Sequence, residues 1–78
     1  MQQFEYDIVK QIAVISENSN QSKEINMISW NGKMPVYDIR TWGKTKDGKV
    51  PYKGITLTTD EWEQLCDTIF QYTALMAK

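Results

Sequence analysis

The pattern of apolar and polar positions divides the 78-residue chain into strand-like segments followed by one helix-like segment. From Tyr6 to Ser16 the even positions read Tyr, Ile, Lys, Ile, Val, Ser, a period of two interrupted at Lys10. That pattern predicts one long strand with a bend or bulge near Lys10-Gln11. Glu17 to Gln21 is polar and turn-like, and Lys23 to Trp30 is a second strand, β-branched and aromatic in its latter half. Asn31-Gly32 then marks a hairpin, because both turn positions require positive φ. Pro35 stands at the start of a third strand, where a missing N–H is tolerated.

The third strand, Val36 to Trp42, alternates so that Tyr37, Ile39 and Thr41 share one face while Val36, Asp38, Arg40 and Trp42 share the other. The Tyr37/Ile39 face is the expected core face, which leaves Arg40 and Trp42 on the open side. Gly43 to Val50 reads as a loop turning at Asp47-Gly48, and Pro51 opens a fourth strand, Tyr52 to Leu57, with Ile55 and Leu57 inward.

Thr58-Thr59-Asp60-Glu61 has the form of a capping box, with Thr58 as N-cap and Glu61 at the third helical position. Trp62, Leu65, Cys66, Ile69, Phe70, Thr73 and Met76 follow at helical spacing. Near the end, Tyr72, Ala74, Leu75 and Ala77 widen the apolar stripe almost to a ring. One small sheet cannot cover it all, so Ile69, Phe70, Tyr72, Thr73, Leu75 and Met76 are expected at a subunit interface. Cys66, on the apolar side, is expected to be a buried small hydrophobe. The predicted fold is α+β: one domain over residues 1–78, a curved four-stranded antiparallel sheet followed by a C-terminal helix, homodimeric.

Composition sharpens this reading. Hydrophobic residues make up 41% of the chain, one thin core's worth. A chain of this size buries only about 60–65% of its unfolded surface. With one cysteine an internal disulfide is excluded, and with no histidine so are the common zinc sites and the histidine-based nucleophile pairs. Oligomerisation is the remaining support. No metal, cofactor, small-molecule substrate or enzymatic activity is expected. The acidic group Asp60, Glu61, Glu63 and Asp67 reads as a dipole effect and a solvated helix face. The longest early apolar run, Ile12 to Ile15, is too short for a signal sequence or a membrane span, so a cytoplasmic protein is expected.

Net charge is −1, but it is unevenly placed: residues 23–53 carry a net +4 between acidic ends. Within that stretch Trp30, Trp42 and Tyr52 alternate with Lys33, Arg40, Lys44, Lys46 and Lys53. Single-stranded nucleic acid requires cations along its phosphates and flat side chains against its unpaired bases. Arg40 and Trp42, two apart on one face, would set one of each about 7 Å apart. Asp38 on that face could orient the guanidinium of Arg40. On this reading neither Trp42→Ala nor Arg40→Ala unfolds the protein. The competing reading is a protein-interaction module that docks a partner on the open sheet face.

Tyr37-Asp38-Ile39-Arg40-Thr41-Trp42, a Gly- and Lys-containing segment, then Lys53-Gly54-Ile55-Thr56-Leu57-Thr58 and Asp60-Glu61-Trp62 together resemble the positive cofactor four family of transcriptional coactivators. The similarity is greatest to its small bacterial, YdbC-type branch, from about Tyr6 to Phe70. The resemblance implies a homodimer, paired through its helices, that binds single-stranded DNA with little sequence preference; RNA is a second possible ligand. It implies nucleic-acid roles for Arg40, Trp42, Lys33 and Lys53, with Trp30 near the family's hairpin aromatic. Lys23, Lys44 and Lys46 complete the expected basic surface. Strand parity groups Trp30 with Ile28 and the core, whereas the resemblance puts it on the nucleic-acid side. The chain has no long Ser- and Lys-rich tail like that of eukaryotic members.

Overall fold

A computed structural model describes residues 5–76. Four antiparallel strands, β1 (Tyr6–Glu17), β2 (Gln21–Trp30), β3 (Val36–Thr45) and β4 (Gly48–Leu57), lie in sequence order and are followed by helix α1 (Thr59–Met76). This is the β-β-β-β-α architecture expected from the pattern. Asn31 and Gly32 both take positive φ, 52° and 75°, and the Lys33 N–H donates to the Trp30 carbonyl at 3.0 Å to close the β2–β3 turn. The capping box forms as read: the Glu61 N–H donates to Thr58 Oγ1 at 3.1 Å, and the Thr58 N–H donates to Glu61 Oε1 at 2.8 Å.

The segment Gly43–Val50 is not a loop. β3 continues to Thr45 and β4 begins at Gly48, so only Lys46-Asp47 turns, with Gly48 at φ 123°. Composition misleads here, because a lysine-rich hairpin keeps its ammonium groups solvated while its backbone stays paired. Lys44 and Lys49 lie directly opposite each other, and each is met by a carboxylate, Glu17 at 2.6 Å and Glu24 at 2.7 Å. Pro51 accordingly lies within β4 rather than opening it, on an edge strand beside a register shift.

Bulges shape the sheet. β1 shifts register between Ile8 and Lys10, between Gln11 and Ala13, and between Val14 and Ser16. The first two shifts flank the break expected near Lys10-Gln11. β4 shifts between its partners of Arg40 and Trp42. Each bulge adds twist and bend, and the sheet curls toward one face. In a flat sheet β1 and β4 would stand about 14 Å apart, three strand spacings. Here the Tyr6 hydroxyl on β1 donates to the Lys49 carbonyl on β4 at 3.0 Å.

The curl reverses the expected assignment of faces. Ser22, Glu24, Asn26 and Ile28 of β2 and Asp38 and Trp42 of β3 are buried, whereas Tyr37, Ile39 and Thr41 are only partly buried. Trp42 is 0% exposed and packs tilted against Tyr6, with ring centroids 5.4 Å apart. Cross-strand register puts Trp42, Asp38 and Arg40 on this concave face together with Asn26 and Glu24. The expectation that Trp42 lies on an open face, dispensable for folding, is therefore corrected: Trp42 is the largest fully buried side chain among the described residues.

Gly54 lies opposite Arg40. A Cβ at Gly54 would collide with Arg40 Cβ and stand 2.6 Å from the Ile39 carbonyl oxygen, so the Lys53-Gly54-Ile55 motif needs its glycine for close strand approach.

Helix α1 touches the convex face lightly. Trp62 stacks on Tyr37, with centroids 4.4 Å apart and planes 3° from parallel, while no helical residue is buried. Ile55 is exposed rather than inward, and Cys66 is exposed rather than packed, because the helix docks only through its first turns. Ile69, Phe70, Tyr72, Leu75 and Met76 are 54–75% exposed in the single chain. The Thr73 hydroxyl donates to the Ile69 carbonyl of its own helix at 2.8 Å. Ala77, on the same apolar ring, lies outside the described residues.

Candidate nucleic-acid interface

The concave face carries an unusual number of polar groups for a core. Glu24 accepts hydrogen bonds from Ser22 Oγ at 2.6 Å, Asn26 Nδ2 at 3.2 Å and Lys49 Nζ at 2.7 Å. Burial pushes its carboxyl pKa up, but the hydrogen bonds from Lys49, Ser22 and Asn26 and the charge of Lys49 outweigh that and hold it below the ordinary value of 4.5. A carboxyl whose pKa is lower folded than unfolded stabilises the fold above its unfolded pKa, and that contribution is lost as pH falls through the folded value. Acid melts should therefore show stability declining below about pH 4.5, and Glu24→Gln should make that decline shallower. An unchanged acid limb in Glu24→Gln would show that this network contributes nothing to it.

Lys49 also lies over the Trp42 ring, 5.0 Å from its centroid. Tyr6 and Lys49 thus cover Trp42 from the two edges of the sheet. Sequence reasoning left Tyr6, Glu24 and Lys49 out of the site. Ser22, Glu24 and Asn26 alternate as a polar stripe and so read as a solvent face. Only the curl of the sheet brings Lys49 across to them.

Arg40 is likewise fixed. Its Nε and Nη2 donate to the two carboxylate oxygens of Asp38, each at 2.7 Å, and its Nη1 donates to the Tyr52 carbonyl at 2.9 Å. The guanidinium lies over the Trp30 ring, 4.8 Å from the centroid. Asp38 orients Arg40 as the sequence suggested, but as a partly buried two-point pair rather than a loose surface contact. Trp30 itself is partly buried beside Tyr6, with ring centroids 5.7 Å apart. Strand parity holds for Trp30, which lies with Ile28 and Arg40 on the concave face. Trp30, Arg40, Pro51, Tyr52 and Thr56 line a groove of about 360 Å³.

The other predicted cations are not all on this face: Lys23 alternates with Ser22 and Glu24 and pairs with Thr41, so it lies on the convex side. Lys33 and Lys53 are exposed; Lys33 is bonded to Trp30 through the backbone, and Lys53 follows Tyr52. Lys23 and Lys46 are exposed as well, and Lys44 is tied to Glu17 at 2.6 Å. Among the described residues Lys23, Lys33, Lys46 and Lys53 meet no carboxylate within ion-pair distance. The Tyr52 ring does not join Trp30. It lies against Gly43 on the opposite face, in the space a Cβ there would occupy.

The family model for Transcriptional Coactivator p15 (PC4) matches residues 17–68. The chain belongs to the PC4 family. The match spans β2, β3, β4 and the first half of α1, and so includes Trp30, Arg40, Trp42, Lys23, Lys33, Lys44, Lys46, Lys49 and Lys53. Most of β1 and the exposed apolar end of the helix lie beyond it. An uncharacterized protein of Treponema pallidum (strain Nichols) is 39% identical over 69 residues, which is 85% of this chain and 76% of the relative. Among the described residues of this PC4 domain there is no group of three or more acidic or cysteine side chains placed to hold a metal ion, and no helix long and apolar enough to cross a membrane.

Proposed function

We propose that this PC4-family protein binds single-stranded DNA with little sequence preference, as a homodimer, in regulating transcription or protecting melted DNA. The observation that carries the reading is the groove lined by Trp30 and Arg40, in a chain segment that also holds the exposed cations Lys33 and Lys53. Flat groups and cations side by side are what an unpaired strand requires, and neither demands a particular base. The apolar end of α1, exposed in the single chain, supplies a surface for the second subunit.

A titration of the intrinsic tryptophan fluorescence with oligothymidine at several salt concentrations tests this. Binding should quench the fluorescence, and log affinity should fall linearly with log salt, by about 0.7 per phosphate neutralised. Replacing Lys33 and Lys53 together by alanine should flatten that slope by about 1.4. An affinity indifferent to salt would instead favour the protein-partner reading, which the exposed Val9, Ile12 and Ile15 of β1 also support.

A further inference from the structure

We infer that Arg40 contributes to strand binding through the plane of its guanidinium and not through its charge: it is a rigid platform on which one unpaired base stacks in the Trp30–Pro51 groove. The inference rests on the single-strand binding proposed above and names how that site holds a base. An arginine that clamps a phosphate needs donors and charge to spare. Arg40 spends its charge and three of its five N–H donors within the fold. Three of its N–H groups are committed, two to Asp38 and one to the Tyr52 carbonyl. Its positive charge is matched at 2.7 Å by a carboxylate that is 0% exposed, and its own side chain is only 14% exposed. A phosphate approaching this pair meets a neutral unit, so few counterions would be released on its account.

The same geometry suits stacking. A guanidinium is flat and delocalised and receives bases as an aromatic ring does. Here its plane is held at both ends by hydrogen bonds and backed by the Trp30 ring at 4.8 Å. It therefore needs no ordering when a base arrives. The groove against it measures about 360 Å³ and has Pro51 as a further apolar wall. That is near the lower end of the roughly 300–1,000 Å³ that sites for small flat ligands span. Gly54 protects the arrangement, since any side chain there would push Arg40 aside.

The test compares Arg40→Lys with the parent protein on two probes of equal length: oligothymidine, and an oligomer of the same phosphates carrying abasic sites. Lysine keeps the charge and loses the plane. The parent must bind oligothymidine; if it does not, the proposed binding function itself fails, whatever Arg40 does. Given binding, Arg40→Lys should weaken the oligothymidine complex about 5- to 150-fold, the range of one stacking contact. Its salt slope should not change, and its affinity for the abasic probe should equal the parent's. A second variant, Asp38→Asn with Arg40→Met, removes plane and ion pair together and should also keep the slope. Three results would overturn the inference: Arg40→Lys binding oligothymidine like the parent, equal losses on both probes, or a slope flattened by about 0.7 in the double variant.

Discussion

Trp42→Ala is expected to cost about 3–5 kcal/mol of stability, as truncation of a fully buried tryptophan does. A domain of this kind has about 5–15 kcal/mol in all, and a short chain lies toward the lower end. The substitution would remove the ring against which Tyr6 packs at 5.4 Å and over which Lys49 lies at 5.0 Å. It would therefore loosen the closure of β1 onto β4 as well as leave a cavity. In thermal melts followed by far-ultraviolet circular dichroism, the variant should lose most of its cooperative transition, and Trp42→Phe should recover much of it. Were Trp42→Ala to melt within a few degrees of the parent, the concave core would not be what holds this fold together. If the variant unfolds as expected, any weakening of the proposed strand binding in Trp42→Ala follows from lost structure, not from a missing stacking group.

The second large effect concerns assembly. Phe70 and Leu75 are 75% and 70% exposed in the single chain. Exposed positions of an isolated domain tolerate substitution within about 0.5 kcal/mol. Replacing both by glutamate should therefore be nearly silent in a monomer and severe in a dimer that buries them. In a coupled folding and dimerisation equilibrium, each tenfold rise in protein concentration adds about 1.4 kcal/mol. For two chains unfolding together, that raises the melting temperature by about 3–6 °C. The parent should show this rise and sediment as a dimer. Phe70→Glu with Leu75→Glu should sediment as a monomer with a lower melting temperature, independent of concentration. A parent that sediments as a monomer at micromolar concentration, with the same melting temperature at every concentration, would contradict the proposed homodimer.

Much of the fold was legible because its signals are local. A capping box needs only Thr58 and Glu61 three residues apart, and both hydrogen bonds form. A two-residue turn with positive φ needs only Asn31-Gly32. Period-two alternation correctly grouped Asp38, Arg40 and Trp42 on one face of β3, and Tyr37 and Ile39 on the other. Local composition failed at Gly43–Val50, where solvated lysines on a paired hairpin resemble a loop.

Which of the two faces became the interior could not be read from alternation, because period two says only that residues share a face. By hydropathy Tyr37 and Ile39 outrank Asp38 and Arg40, and a flat sheet under a helix would have buried them. The bulges of β1 and the register shift of β4 curl the sheet the other way. Tyr6 and Lys49 then meet across Trp42, and Glu24 and Asp38 can be buried because each finds its cation, Lys49 or Arg40, at 2.7 Å. The sequence alone determined the elements, their order, the residues sharing each strand face and the excess of cations in the middle of the chain. The tertiary structure decided which face is core, that Arg40 is held at a third point by the Tyr52 carbonyl and laid over Trp30, and that the helix docks only through its first turns. The curl and the contacts it closes join residues 25 or more positions apart, such as Glu24 with Lys49 and Tyr6 with Lys49, and no local pattern encodes such a meeting.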